Sequence, residues 1–191
     1  NHSCGGAIGL GTVGYSVNEG GLTWVIGTNS NMAKHTLAHE LGHNFSFGHA
    51  SWLDCTSADP RPGSTACPAR PYGDIVDVMG FGMSGKSGGA LSAPSAIRGG
   101  LWAEGEDYVT AEGAGPQTYT LQSVTSHDGV RGVVVPDSDG TTYFVEFRDG
   151  TAEDSQYAGL TCVAGSHCIA GGPSVRVLRF EQQVLKVGSS P

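Results

Sequence analysis

One stretch of this 191-residue chain carries the period of a helix. In NMAKHTLAHELGHNF, residues 31 to 45, Ala33, Leu37, Leu41 and Phe45 recur at every fourth position. Ser30 or Asn31 offers the N-cap. The surroundings read differently. With 31 glycines and only 15% charged residues, the chain as a whole is turn-rich rather than helical. Upstream, GGAIGLGTVG and GLTWVIG read as strands on either side of the turn NEGG, and glycine within a strand marks an edge or a close backbone approach. Residues 50 to 91 are irregular, and LSAPSAIRGGLW predicts a short helix starting near Ser92 or Ser95. From Tyr108 onward QTYTLQSV, VRGVVVP, TTYFVEFR and SVRVLRFEQ are short, β-branched and aromatic, punctuated by Asp128-Gly129, Asp139-Gly140 and Asp149-Gly150. VVVPDSDGTTYFVEF predicts a hairpin. The fold class that follows is α+β: a first portion over residues 1–106, with the boundary in WAEGEDY, and an all-β, sandwich-like domain over residues 107–191.

Composition narrows the function. A net charge of −8 without any basic run argues against nucleic acid and anionic membranes as partners. No apolar run approaches the roughly 18 residues of a membrane span. The opening NHSCGG lacks an initiator methionine and reads as a processed or truncated product. Of the five cysteines, Cys55 and Cys67 flank one local loop, and Cys162 and Cys168 another. Both look like disulfides of an oxidising, extracellular compartment. Cys4 is left over, as a free thiol or with a partner outside the chain.

The helix concentrates the chemistry. Residues 35–50, HTLAHELGHNFSFGHA, hold four of the seven histidines. His39 and His43 stand four apart, about 40° and one turn, so both imidazoles point the same way and can grip one divalent ion. Zinc suits such nitrogen ligands. Glu40 can reach a water on the metal without ligating it, the logic of HExxH. The bland reading is a polar helix face with ion-paired His and Glu. Against it, the histidine face lies opposite the Leu37/Leu41 stripe, so the stripe is expected in the core and the histidines in a cleft. His49 adds a third ligand, and three protein ligands with one open position is the catalytic arrangement.

These residues also match a family. HELGHNFSFGH resembles the extended zinc motif HExxHxxGxxH of the metzincin metalloproteases. YGDIVDVMG resembles the family's Met-turn, with Met79. The wording is most similar to the gametolysin-like peptidases, with adamalysins as more distant relatives. The specific part spans residues 7 to 81. The resemblance implies a secreted zinc endopeptidase in which His39, His43 and His49 hold Zn2+ and Glu40 is the general base. The strand from Ile8 to Val13 would take an extended protein or peptide substrate as an added strand. The segment after Met79, GFGMSGKSGGALSAPS, would wall a specificity pocket. The β-rich tail resembles the C-terminal region of secreted gametolysin-like proteases. Two positions depart from the pattern. The family's glycine in HxxGxxH is Ser46 here, and a serine in the left-handed conformation costs on the order of 1 kcal/mol. The position two after the methionine, a tyrosine in some metzincins, is Phe81, which cannot ligate. Were His49 not to reach the metal, a water or a carboxylate such as Asp54 would be the substitute. The rival readings are a catalytically silent binding or adhesion module, whose β-rich half does the work, and an inactive protease fragment. Glu40 argues against the first, because a silent module needs no base.

The remaining expectations are smaller. His35 is one turn before His39 and takes a surface or packing role. His2, His127 and His167 sit in loops and read as solvated. Gly42 costs the helix about 1 kcal/mol against alanine, which points to something packed closely there, such as the Met-turn. Asn44 matches a glycosylation acceptor pattern, as does Asn1, but lies where a glycan would obstruct folding. Only two or three strands precede the helix, too few to cover Ala33, Leu37 and Leu41. An N-terminal segment of the same precursor is therefore an expected partner, supplying a backing helix and a thiol for Cys4.

Overall fold

The computed structural model describes residues 8–26, 30–53, 55, 67–82, 86–158 and 173–180. The chain is α+β. Strands β1 (Gly9–Gly11) and β2 (Thr23–Val25) form an antiparallel pair with Leu10 opposite Trp24. Helix α1 follows over Ser30–Asn44. Strands β3 (Trp52–Leu53) and β4 (Ala69–Arg70) pair across a loop closed by the expected Cys55–Cys67 disulfide. The expected Cys162–Cys168 pair and Cys4 lie outside the described residues. A turn over residues 74–80 leads to the short helix α2 (Ala93–Arg98), which starts after Ser92 with Pro94 in its first turn.

The second half forms one sheet in the order β5-β6-β7-β8, made of Tyr108–Thr110, Gly132–Pro136, Thr142–Arg148 and Ser174–Arg179. β5 runs parallel to β6 and the other pairs are antiparallel. The β6–β7 hairpin turns at Asp137–Thr141, where Gly140 takes a φ of 87°. The expected second sheet of a sandwich is absent among the described residues. Helix α2 occupies that place on one face: Ala93 and Ala96 pack with Trp102, Val124 and Phe144, flanked by Val134 and Leu178. A small helix can bury this face because Trp102 fills the gap beside it. The opposite face carries an apolar groove of about 570 Å³ lined by Val133, Val135, Val145, Phe147 and Val175 and by Tyr119 and Leu121 of the preceding loop.

The expected core burial of the Leu37/Leu41 stripe is corrected, whereas the expectation that the preceding strands leave it poorly covered agrees with the structure. Leu37, Leu41 and Phe45 are exposed, at 47%, 41% and 45%, while His35, Thr36, His39 and Asn44 are buried. The apolar spacing is real, but the neighbours lie on the other side. β1 approaches so closely that a Cβ at Gly9 would come within 2.3 Å of the Thr36 methyl, and one at Gly11 within 2.6 Å of the Glu40 carbonyl oxygen. Across the helix, a Cβ at Gly42 would meet Met79 Sδ at 2.3 Å, which is the close packing its glycine anticipated. α1 is thus held between the β1–β2 pair and the 74–80 turn by its polar face. The Asn44 amide seals the first contact, donating to the Thr12 carbonyl at 2.6 Å and accepting from the Thr23 hydroxyl at 3.0 Å. That leaves no room for a glycan on Asn44.

Candidate metal centre

His39, His43 and His49 converge, each offering a ring nitrogen, all within 4.8 Å of one another. The first two are aligned by the helix. The third comes back because the chain reverses just past Asn44. Ser46 adopts a φ of 67°, the left-handed conformation that a glycine would take without strain. Its amide donates to the His43 carbonyl at 2.9 Å, and the Phe47 amide to that of Gly42 at 3.0 Å. His49 then sits with Nε2 3.1 Å from His43 Nε2. Two nitrogens bound to one tetrahedral zinc at about 2.05 Å would be about 3.3 Å apart. Ser46→Gly removes the strain and is expected to stabilise the fold by about 1 kcal/mol, less the bond that the Ser46 hydroxyl accepts from Arg98. A lower melting temperature in this variant would contradict the assignment of strain to Ser46.

The ring orientations suit a metal. His39 Nδ1 lies 2.9 Å from the Val78 carbonyl oxygen and His43 Nδ1 2.9 Å from that of Phe47. A carbonyl only accepts, so both Nδ1 atoms carry the proton and both Nε2 atoms are left with lone pairs. Outer carbonyls of this kind fix the tautomer and raise ligand basicity in metal sites. The donor set therefore fits a divalent ion that favours imidazole. Burial favours the neutral form of His39 and of His49. His39 is lowered by desolvation and by the charge of His43, against the Val78 hydrogen bond and Glu40. His49 is pushed down to about 4 by burial first, then by His43 and His39.

The shift of His49 makes a pH prediction. In the unfolded chain its imidazole takes up a proton near pH 6.5, but in the folded, metal-free chain only near pH 4. Between these values the unfolded state binds more protons, so this contribution to stability is present above pH 6.5 and is lost as the pH falls toward 4. Melting curves in chelator should show the gap between the wild type and His49→Ala changing over that window. A gap that is independent of pH would refute the shift.

Glu40, next to His39 on α1, is half-buried, with its carboxylate against β1. A Cβ at Gly9 would stand 2.8 Å from its Oε1, and one at Gly11 3.0 Å from its Oε2. The glycines of β1 thus make room for this carboxylate. His35 takes the packing role: it is buried beneath Gly82 and Gly88, where added Cβ atoms would come within 2.5 and 2.7 Å of its ring. Phe81 is exposed, as is His127. Asp54, His2 and His167 lie outside the described residues.

Two features of the site had no obvious signal in the sequence. One is Tyr72, whose ring centroid is 3.7 Å from that of His49. The other is the support behind Met79. The Met79 amide donates to Asp77 Oδ1 at 2.6 Å, and the Ser92 amide to Asp77 Oδ2 at 2.9 Å. Burial and the neighbouring Asp74 push Asp77 up to about 6, against the pull of Arg148, the Ser92 side chain and the Met79 amide. Behind it Arg148 of β7 is buried, donating to the carbonyls of Val76 at 3.2 Å and Ala90 at 3.1 Å. It pairs with Glu146 at 2.8 Å and with both oxygens of Asp154 at 2.9 and 3.0 Å. Burial disfavours its charge, but Glu146, Asp154, Asp74 and Asp77 together raise its pKa. Arg176 of β8 pairs with Asp74 and Glu146. The turn that carries Val78 and Met79 is thereby fastened to the sheet of the second half.

In comparisons with known proteins, no family model, curated protein or solved structure matches this chain. No helix among the described residues is long and apolar enough to cross a membrane.

Proposed function

We propose that the protein is a secreted, zinc-dependent endopeptidase of the metzincin type that hydrolyses peptide bonds in extended polypeptides. The observation that carries this reading is the convergence of His39, His43 and His49, with Glu40 adjacent on the same helix. Met79 packed beneath Gly42 and the disulfide agree with it. His39, His43 and His49 would hold zinc, which when bound would supply Lewis acidity that polarises a substrate carbonyl and lowers the pKa of a water to about 7. The chain's own groups do the rest. The Val78 and Phe47 carbonyls keep two imidazoles oriented. Glu40 takes the proton from the attacking water and returns it to the leaving amine. The Glu40 carboxylate lies against the face of β1, and the edge of β1 away from β2, unpaired among the described residues, would take an extended substrate by main-chain bonding near the base. Such pairing selects extended backbone and says little about side chains.

The test is a quenched fluorogenic peptide library incubated with the full chain, with and without chelator, followed by zinc add-back. Cleavage that the chelator stops and zinc restores is the expected result. Stoichiometric metal without cleavage of any peptide would favour a silent binding module instead.

A further inference from the structure

We propose that Tyr72 is a positioning residue for His49 and that its ring, rather than its hydroxyl, does the positioning. The proposal rests on the metal-centre reading above. His39 and His43 stand on a helix and each has a carbonyl on Nδ1. His49 stands past the helix end, where the backbone alone leaves its imidazole free to rotate. The Tyr72 ring covers it, with centroids 3.7 Å apart and planes inclined by 31°. The same ring lies nearly parallel to His39, at 14° and 6.0 Å. One aromatic plate thus spans two of the three rings that offer nitrogens.

The backbone indicates that this contact is held against a cost. Tyr72 has a φ of 60°, a conformation that a bulky residue adopts rarely and with strain. A glycine would take it freely. The residue is 37% exposed, so it is not there to fill the core. The strained turn is pinned by the Gly73 amide to the Arg70 carbonyl at 3.1 Å and the Phe81 amide to the Tyr72 carbonyl at 2.9 Å. It is also fastened to the segment that carries His49. The Ala50 amide donates to the Met79 carbonyl at 2.9 Å, and the Asp74 amide to the Ala50 carbonyl at 3.2 Å. Tyr72 and His49 therefore sit on adjoining backbones with little freedom to slide. Strain of this kind persists where surrounding structure over-determines it, and it gathers at functional sites.

The test compares the wild type, Tyr72→Phe and Tyr72→Gly by three readouts: Zn2+ affinity from chelator competition, imidazole proton shifts of His49 in the metal-free protein, and the metal-free melting temperature. The ring should shift the His49 protons upfield in the wild type and in Tyr72→Phe, but not in Tyr72→Gly. Zn2+ affinity should be kept in Tyr72→Phe and fall about 10–100-fold in Tyr72→Gly, the usual loss when a supporting group is removed. The metal-free melting temperature of Tyr72→Gly should not fall, because the strained φ is relieved. Unchanged affinity in Tyr72→Gly overturns the proposal, as does equal loss in Tyr72→Phe, which would assign the hydroxyl. A lower metal-free melting temperature in Tyr72→Gly means a merely structural role and also overturns it. A wild-type chain that binds Zn2+ without the upfield shift overturns this proposal and leaves the metal-centre reading intact. A wild-type chain that binds no Zn2+ overturns the metal-centre reading first, and the proposal with it.

Discussion

Under the proposed mechanism, Glu40→Ala is expected to abolish peptide hydrolysis while leaving metal binding intact. A positioned proton-transfer group contributes roughly 10²–10⁴-fold to rate. The three nitrogens offered to the metal come from other residues, so the metal content should stay near that of the wild type. Glu40→Gln is the better-controlled version. The carboxylate lies against Gly9 and Gly11 of β1, and glutamine keeps that shape while losing the base. Turnover measured alongside bound zinc decides the matter. Turnover near the wild-type value in both variants would sink the mechanism. Joint loss of activity and zinc would mean that Glu40 holds the site together instead of serving as its base.

Arg148→Ala should be the most damaging single change to the fold. It leaves Asp154 and Asp77 buried without the counter-charge of Arg148, and Glu146 and Asp74 with Arg176 alone. It also orphans the Val76 and Ala90 carbonyls. Removing one partner of a buried ion pair costs about 3–5 kcal/mol, a large share of the roughly 5–15 kcal/mol by which domains are stable. For a chain of this length the melting temperature should drop by roughly 10 °C. Arg148→Lys keeps the charge but loses the planar fork that reaches Glu146 and Asp154 together, so it should fall between the two. Because Arg148 holds Val76 and the Val78 carbonyl orients His39, a loss of metal affinity should accompany the loss of stability. A melting temperature within a few degrees of the wild type would show that the network is dispensable.

Helix α1 was legible from its period, and its observed span of Ser30–Asn44 differs from the expected one by a residue at each end. The β6–β7 hairpin and α2 were legible from an Asp-Gly turn and a serine start, which are local chemistry. The buried face of α1 was misread for a physical reason. Spacing shows that Leu37 and Leu41 share a face, but which face is covered depends on neighbours distant in the chain. Here the glycines of β1 and the 74–80 turn approach the polar side. The sandwich was misread similarly, since alternation in a strand shows that a face can be covered without showing whether a sheet or α2 covers it.

The amino-acid sequence by itself determined the pair His39 and His43 and the position of Glu40, because a helix converts a four-residue separation into a shared direction without outside help. It also marked Gly42 as a point of close contact. Only the tertiary structure decided that His49 returns to within 3.1 Å of His43, because that depends on Ser46 accepting a left-handed turn. It alone placed the Tyr72 ring on His49 and Arg148 behind the turn that holds His39. These contacts join residues tens of positions apart, and no local period encodes which distant side chain will fill a given gap.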